Sequence, residues 1–202
     1  MKNMTITYTN DKSLYLNITN RCTNRCEFCV RNDGDTVFTS GSLWLEREPS
    51  KEEILEDIKK HDLSTFDEMV FCGYGEPTER IDEIIWVSSE VKKLSDITIR
   101  LNTNGHANLI HKRDITPMLQ DIIDVISISL NAVNAVDYVD LCHPDFGEEG
   151  YYGMLEFARL AAKYVSDTRL SAVKGSIPDD DLVICQRIAD EIGVKLLIRE
   201  MW

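Results

Sequence analysis

Three cysteines in the spacing Cys22-x3-Cys26-x2-Cys29 follow the strand-like run Leu14-Tyr15-Leu16-Asn17-Ile18-Thr19. Thiolates on one short loop are ligands for iron–sulfur clusters. Each iron of a four-iron cubane needs one protein bond, so three thiolates fill three corners and leave the fourth iron open to an external ligand. An open iron is a reaction site. The competing chemistry is structural zinc, which takes four protein ligands, usually as two separated pairs. The chain has no second pair, because Cys72, Cys142 and Cys185 stand alone and read as small buried hydrophobes.

Further segments could carry chemistry. Gly73-Tyr74-Gly75-Glu76-Pro77 follows the apolar run 67–72. Glycine permits close backbone approach to a ligand, and the same residues also make an ordinary strand-to-helix turn. Asn102-Thr103-Asn104-Gly105 ends the next run and is also a plain Asn-Gly turn. Ser129 and Asn131, closing the run 124–130, offer neutral hydrogen-bonding groups. Leu141-Cys142-His143-Pro144-Asp145 combines a thiol, an imidazole and a carboxylate. Cys142 could pass a hydrogen atom or proton at a substrate, or the segment is a turn. Val173, Gly175 and Leu197 are positioned at or near strand ends, while Arg199 and Glu200 face either the mouth of the fold or solvent. His106, His111 and His143 have no metal-ligand spacing.

The elements that must position these residues alternate between strand-length runs and segments of helical period. Strands are expected at 13–19, 67–72, 96–102, 124–130, 168–173 and 194–199. Helices are expected near 50–62, 79–94, 113–123, 134–141, 150–165 and 179–192. Ser50-x-x-Glu53 is a capping box, and Pro178 followed by Asp179 to Asp181 suits a helix start. Six strands alternating with helices imply a parallel sheet with right-handed crossovers. Such sheets gather their chemistry on loops after the strand C-terminal ends, and the cysteine loop is one of these.

At 202 residues the chain is long enough for a substantial core, with 43% hydrophobic and 28% charged residues. Its net charge of −13 opposes non-specific binding to nucleic acid or anionic membrane. No apolar run reaches membrane-spanning length and the N-terminus lacks a signal-peptide core, so a cytoplasmic location, with reduced thiols, is expected.

The cysteine spacing, with Phe28 directly before the last cysteine, resembles the signature of the radical S-adenosylmethionine (radical SAM) superfamily. The resemblance covers essentially the whole chain. It implies an α/β fold, a six-unit partial (β/α) barrel of TIM type with a parallel sheet, as a single core domain over residues 1–202. It also implies a [4Fe–4S] cluster on Cys22, Cys26 and Cys29, with SAM chelating the open iron. One-electron reduction would cleave SAM to a 5′-deoxyadenosyl radical that abstracts a substrate hydrogen. An external reductant of flavodoxin or ferredoxin type is then needed. Gly73, Gly75 and Glu76 resemble the family's Gly-Gly-Glu segment, with Tyr74 in place of the first glycine of the pair. By the same resemblance Phe28, Asn102, Ser129 and Asn131 belong to the SAM site, Asn131 standing where an acid or lysine is often found. The opening Asn17-Ile18-Thr19-Asn20-Arg21-Cys22 and the segment Phe71 to Thr78 are most similar to the small TatD-associated radical SAM proteins. The substrate implied is a small or nucleotide-like molecule, or a glycyl-radical protein partner. A non-catalytic iron–sulfur or zinc-binding regulator is the alternative.

Overall fold

A computed structural model of the chain describes residues 4–32, 34 and 41–199. Its strands are β1 (Thr7–Asn10), β2 (Ser13–Leu16), β3 (Glu68–Phe71), β4 (Thr98–Thr103), β5 (Val125–Ser129), β6 (Asp167–Val173) and β7 (Lys195–Arg199). The helices are α1 (Lys51–Ile58), α2 (Ile81–Lys92), α3 (Ala107–His111), α4 (Ala135–Cys142), α5 (Glu148–Ala161) and α6 (Asp179–Ile192). The strands lie in chain order in one open sheet, parallel from β2 to β7, with β1 antiparallel on the outer edge. All six expected strands are present and the sheet is the expected partial barrel.

Period-two alternation builds its two faces. Leu14, Leu16, Met69, Phe71, Ile99, Leu101, Ile126 and Ile128 are buried in the core shared with the helices. The residues between them, Tyr15, Cys72, Arg100, Asn102, Ser127 and Ser129, line a central cavity. A barrel interior filled by branched apolar side chains is a packed core; this one carries arginine, asparagine and serine side chains among aromatic ones and encloses a cavity. The capping box of α1 forms as expected, Glu53 N donating to Ser50 Oγ at 3.2 Å and Ser50 N to Glu53 Oε2 at 2.8 Å. Arg80, buried ahead of α2, ties that helix to the sheet by donating to Ile18 O (2.9 Å) and Pro49 O (2.7 Å).

Two elements differ from expectation. β1 adds a seventh strand, through a tight turn in which Asp11 takes φ 48°. Threonines occupy Thr5, Thr7 and Thr9, so only Ile6 and Tyr8 mark the buried face. Instead of a helix at 113–123, the short α3 is followed by a single 3-10 turn at Thr116–Leu119. Lys112 ends α3 in the left-handed region (φ 52°), Asp114 Oδ1 accepts from Thr116 N and Oγ1, and Pro117 has no N–H to extend an α-helix. Among the described residues no helix is long and apolar enough to cross a membrane.

Candidate active site

The cysteine loop leaves the C-terminal end of β2 and turns over the mouth of the barrel. Cys22, Cys26, Phe28 and Cys29 line one cavity of about 360 Å³, together with Gly73, Gly75, Glu76, Asn102, Ser129 and Asn131. Sites for small ligands run from roughly 300 to 1,000 Å³. Residues drawn from the C-terminal ends of β4 and β5 and from the loops after β2, β3 and β5 thus meet on one wall system. All three thiols are free, and among the described residues no group of three or more His, Cys, Asp or Glu side chains converges on a single metal position.

The loop is held rigidly from below. Arg25 N donates to Cys142 O (2.9 Å), Glu27 N to Leu141 O (3.0 Å) and Asp145 N to Thr23 O (2.8 Å), docking the loop on the end of α4. Thr23 Oγ1 bonds His106 Nδ1 at 2.8 Å, and Tyr138 Oη bonds His106 Nε2 at 3.0 Å. Asn24 Nδ2 donates to Tyr138 Oη (3.1 Å), and Asn104 Nδ2 to Thr23 Oγ1 (3.0 Å). His106 is fully buried, and burial lowers its pKa to about 4, so the imidazole is neutral at neutral pH. This network was not visible in the sequence, because its members sit on three segments with no common spacing.

A second staple comes from the loop after β3. Glu76 N donates to Arg21 O at 2.7 Å, one residue before Cys22. A methyl group on Gly75 would lie 2.3 Å from Thr19 O and 2.6 Å from Arg21 O, and one on Gly73 would lie 2.3 Å from Asn17 Oδ1. Only glycine lets this loop press against the start of the cysteine loop. The Glu76 carboxylate, 3% exposed, accepts at Oε1 from Thr78 N, Thr78 Oγ1 and Thr103 Oγ1, and at Oε2 from Asn104 N at 2.6 Å. It therefore joins the loops after β3 and β4. Burial pushes its pKa up against the pull of those donors.

Burial and neighbouring groups set the electrostatics of the wall. Burial, then the charge of Glu76, raises the Cys22 thiol to about 12. Cys26 is raised first by a hydrogen bond with the Cys142 thiol and then by burial. Ligation of a metal or cluster deprotonates such thiols. The amide oxygens of Asn102 and Asn131 are buried without hydrogen-bond partners among the described residues, and unpaired buried acceptors of this kind are uncommon in folded proteins. Asn131 sits at φ 58°, a left-handed position that asparagine tolerates.

Cys142 is not on this wall. It is fully buried in the core, behind the cysteine loop and in contact with Cys26, so it does not face the cavity as a substrate-directed thiol would. His143 points instead toward exposed Glu27 at 3.5 Å. Val173, Gly175 and Leu197 do not line the cavity, Arg199 does, and Glu200 lies outside the described residues.

A sequence profile of the Radical SAM superfamily matches residues 16–177. The chain belongs to the radical SAM superfamily. Membership implies a [4Fe–4S] cluster and SAM as cofactors, and the status of an enzyme. The fold agrees with solved structures of radical SAM proteins. SuiB of Streptococcus suis, crystallised with the precursor peptide SuiA, superposes with TM-score 0.66 at 12% identity, over 97% of this chain and 40% of SuiB. The radical SAM methyltransferase of Sphaerobacter thermophilus gives TM-score 0.59 at 12% identity, over 96% and 68% of the two chains. Native anSMEcpe with bound AdoMet gives 0.64 at 16% identity, over 93% and 50%. The chain thus spans less than half of SuiB and half of anSMEcpe. No curated protein sequence matches it.

Proposed function

We propose that this radical SAM protein binds a [4Fe–4S] cluster through Cys22, Cys26 and Cys29 and SAM in the adjoining cavity, as one core domain over residues 1–202. The observation that carries this reading is the meeting of three free thiols, the Gly75-Glu76 loop and two orphaned amide oxygens on one cavity. Three thiols spread along a wall suit an object of cluster size, each thiolate reaching its own iron, better than one zinc ion. When bound, the pair of cofactors supplies reductive cleavage of SAM to methionine and a 5′-deoxyadenosyl radical that takes a hydrogen atom from substrate.

The chain's own residues orient and enclose. Gly73 and Gly75 bring backbone to the ligand, Glu76 and Asn104 fix the two loops against each other, and Ser129 with the open oxygens of Asn102 and Asn131 takes ammonium or hydroxyl donors. Phe28 covers the cysteine loop on the cavity side and excludes water. The electron comes from an external flavodoxin- or ferredoxin-type donor, and the reduced thiols suit the cytoplasm. Within the superfamily the likeness of residues 17–22 and 71–78 supports the small TatD-associated group. The substrate is a small molecule or a protein partner. Anaerobic reconstitution with iron and sulfide, followed by SAM and dithionite, tests the proposal. Formation of 5′-deoxyadenosine is expected; a reconstituted protein that binds iron but leaves SAM intact is instead a regulator.

A further inference from the structure

One part of the cavity wall has a character that neither the cysteine loop nor the glycine loop explains. Arg100, pointing inward from β4, and Arg199, at the end of β7, both line it. The Nε of each guanidinium is buried without a hydrogen-bond partner among the described residues. Arg100 is partly neutralised, its Nη2 donating to Glu68 Oε1 at 2.7 Å. Arg199 has no carboxylate within ion-pair distance among the described residues, and desolvation holds its pKa below the usual arginine value. The only acid lining the cavity among the described residues is Glu76, and both its oxygens are occupied by Thr78, Thr103 and Asn104.

A guanidinium withdrawn from water is costly unless an anion meets it. This one is also set apart from the cluster ligands. Arg199 ends β7, at the far end of the sheet order from β2, whose following loop carries the cysteines, and Arg100 enters from β4 between them. In a chain of net charge −13, an acidic molecule is repelled by the general field and needs a local positive site to settle in the cavity. The planar donor fork of arginine matches the two or three oxygens of a carboxylate or phosphate.

We propose that Arg199, backed by Arg100, receives an anionic group of the substrate, a carboxylate or a phosphate, so that the substrate of this enzyme is an acid. The inference rests on the reading of the cavity as the place where SAM and substrate meet, but its test does not depend on the cluster. The full chain, with and without reconstituted iron and sulfide, is titrated with inorganic phosphate and separately with acetate at constant ionic strength, and thermal stability is followed. Saturable stabilisation is expected with at least one of the two anions, and which one responds separates a phosphate from a carboxylate substrate. Arg199→Gln should weaken that binding at least tenfold, Arg199→Lys should retain part of it, and the distant Lys93→Gln should behave as wild type. Circular dichroism of each variant checks folding, and Arg199→Lys carries the comparison if Arg199→Gln does not fold. Equal, unsaturable stabilisation of all forms by both anions overturns the proposal. So does a wild-type chain indifferent to both anions in which Arg199→Gln weakens SAM binding, since the pair would then serve the SAM carboxylate. Absence of 5′-deoxyadenosine from the reconstituted protein would count against the radical SAM chemistry and leave the anion result standing.

Discussion

Glu76 accepts four hydrogen bonds from three residues on two loops, which makes it the most heavily used side chain at the site. Truncation would orphan the N–H groups of Thr78 and Asn104 in a buried place, at roughly 1–3 kcal/mol for each unsatisfied donor. Glu76→Ala is therefore expected to lower the urea midpoint clearly and to weaken SAM binding by tenfold or more, because the loops that frame the ligand are no longer fixed to each other. Intact SAM affinity in a destabilised variant would reduce Glu76 to a loop staple. The cysteines divide differently. Cys22→Ala, Cys26→Ala and Cys29→Ala should each abolish the brown chromophore, since on the proposed reading each thiolate would be one of only three ligands. Cys72→Ala and Cys185→Ala should retain about four irons per chain on reconstitution. Cys142→Ala should also keep the cluster, although loss of its thiol from the neighbourhood of Cys26 changes the setting of one ligand; failure to load iron would make Cys142 part of the site.

At the level of elements, the helix ends and loops decide how firmly the cysteines are held. α4 closes in the left-handed region at His143 (φ 43°), which turns residues 143–145 back along the cysteine loop. Tyr138 of α4 and the residue before α3, His106, complete the buried network under Thr23 and Asn24. With a folded-state pKa of about 4 against 6.5 for a free imidazole, His106 stays neutral when the unfolded chain has taken a proton. A hydrogen bond with the Gly150 backbone and then the nearby charge of Asp145 oppose this shift but do not overcome burial. Stability should fall as pH drops from about 6.5 to 4, by about 3 kcal/mol in all, and change no further from this group below that window. Urea unfolding across that range should show His106→Gln, already weaker at pH 7, losing about one proton of pH dependence relative to wild type. An unchanged slope would mean that the imidazole titrates normally. None of this was legible in the sequence, because a buried histidine gains its partners from segments more than thirty residues away. The strands were legible because their apolar residues recur every second position and each is bounded by turn residues. β1 escaped because its threonines blur that alternation, and the helix at 113–123 was misjudged because Pro117 and the Asp114 cap outweigh its apolar spacing.

On the scale of the whole molecule, the candidate site is assembled by topology. The sheet runs in strict chain order, so the loops after β2, β3, β4 and β5 open side by side onto one mouth. Each local motif could be read from spacing, but their meeting at a single cavity follows only from the parallel register, Leu16 opposite Phe71, Phe71 opposite Leu101, Leu101 opposite Ile126. The same register accounts for Arg199, whose part in the cavity was undecided from sequence: it stands opposite Val173 at the end of the last strand and reaches the interior that Arg100 enters from β4. A ligand that touches four such loops bridges segments from residue 22 to residue 131, and binding only the folded form stabilises it by mass action. With SAM at a hundred times its dissociation constant the gain is about 2.7 kcal/mol. For a chain of 202 residues each kcal/mol moves the midpoint by roughly 2–4 °C, which gives a rise of about 5–11 °C for the reconstituted protein on adding SAM. The cluster-free protein should respond much less if, as proposed, an open iron would supply the strongest contact to SAM. Anaerobic differential scanning fluorimetry with and without SAM measures both states. An equal rise without the cluster would mean that the loops bind SAM unaided, and no rise in either state would remove SAM from the cavity.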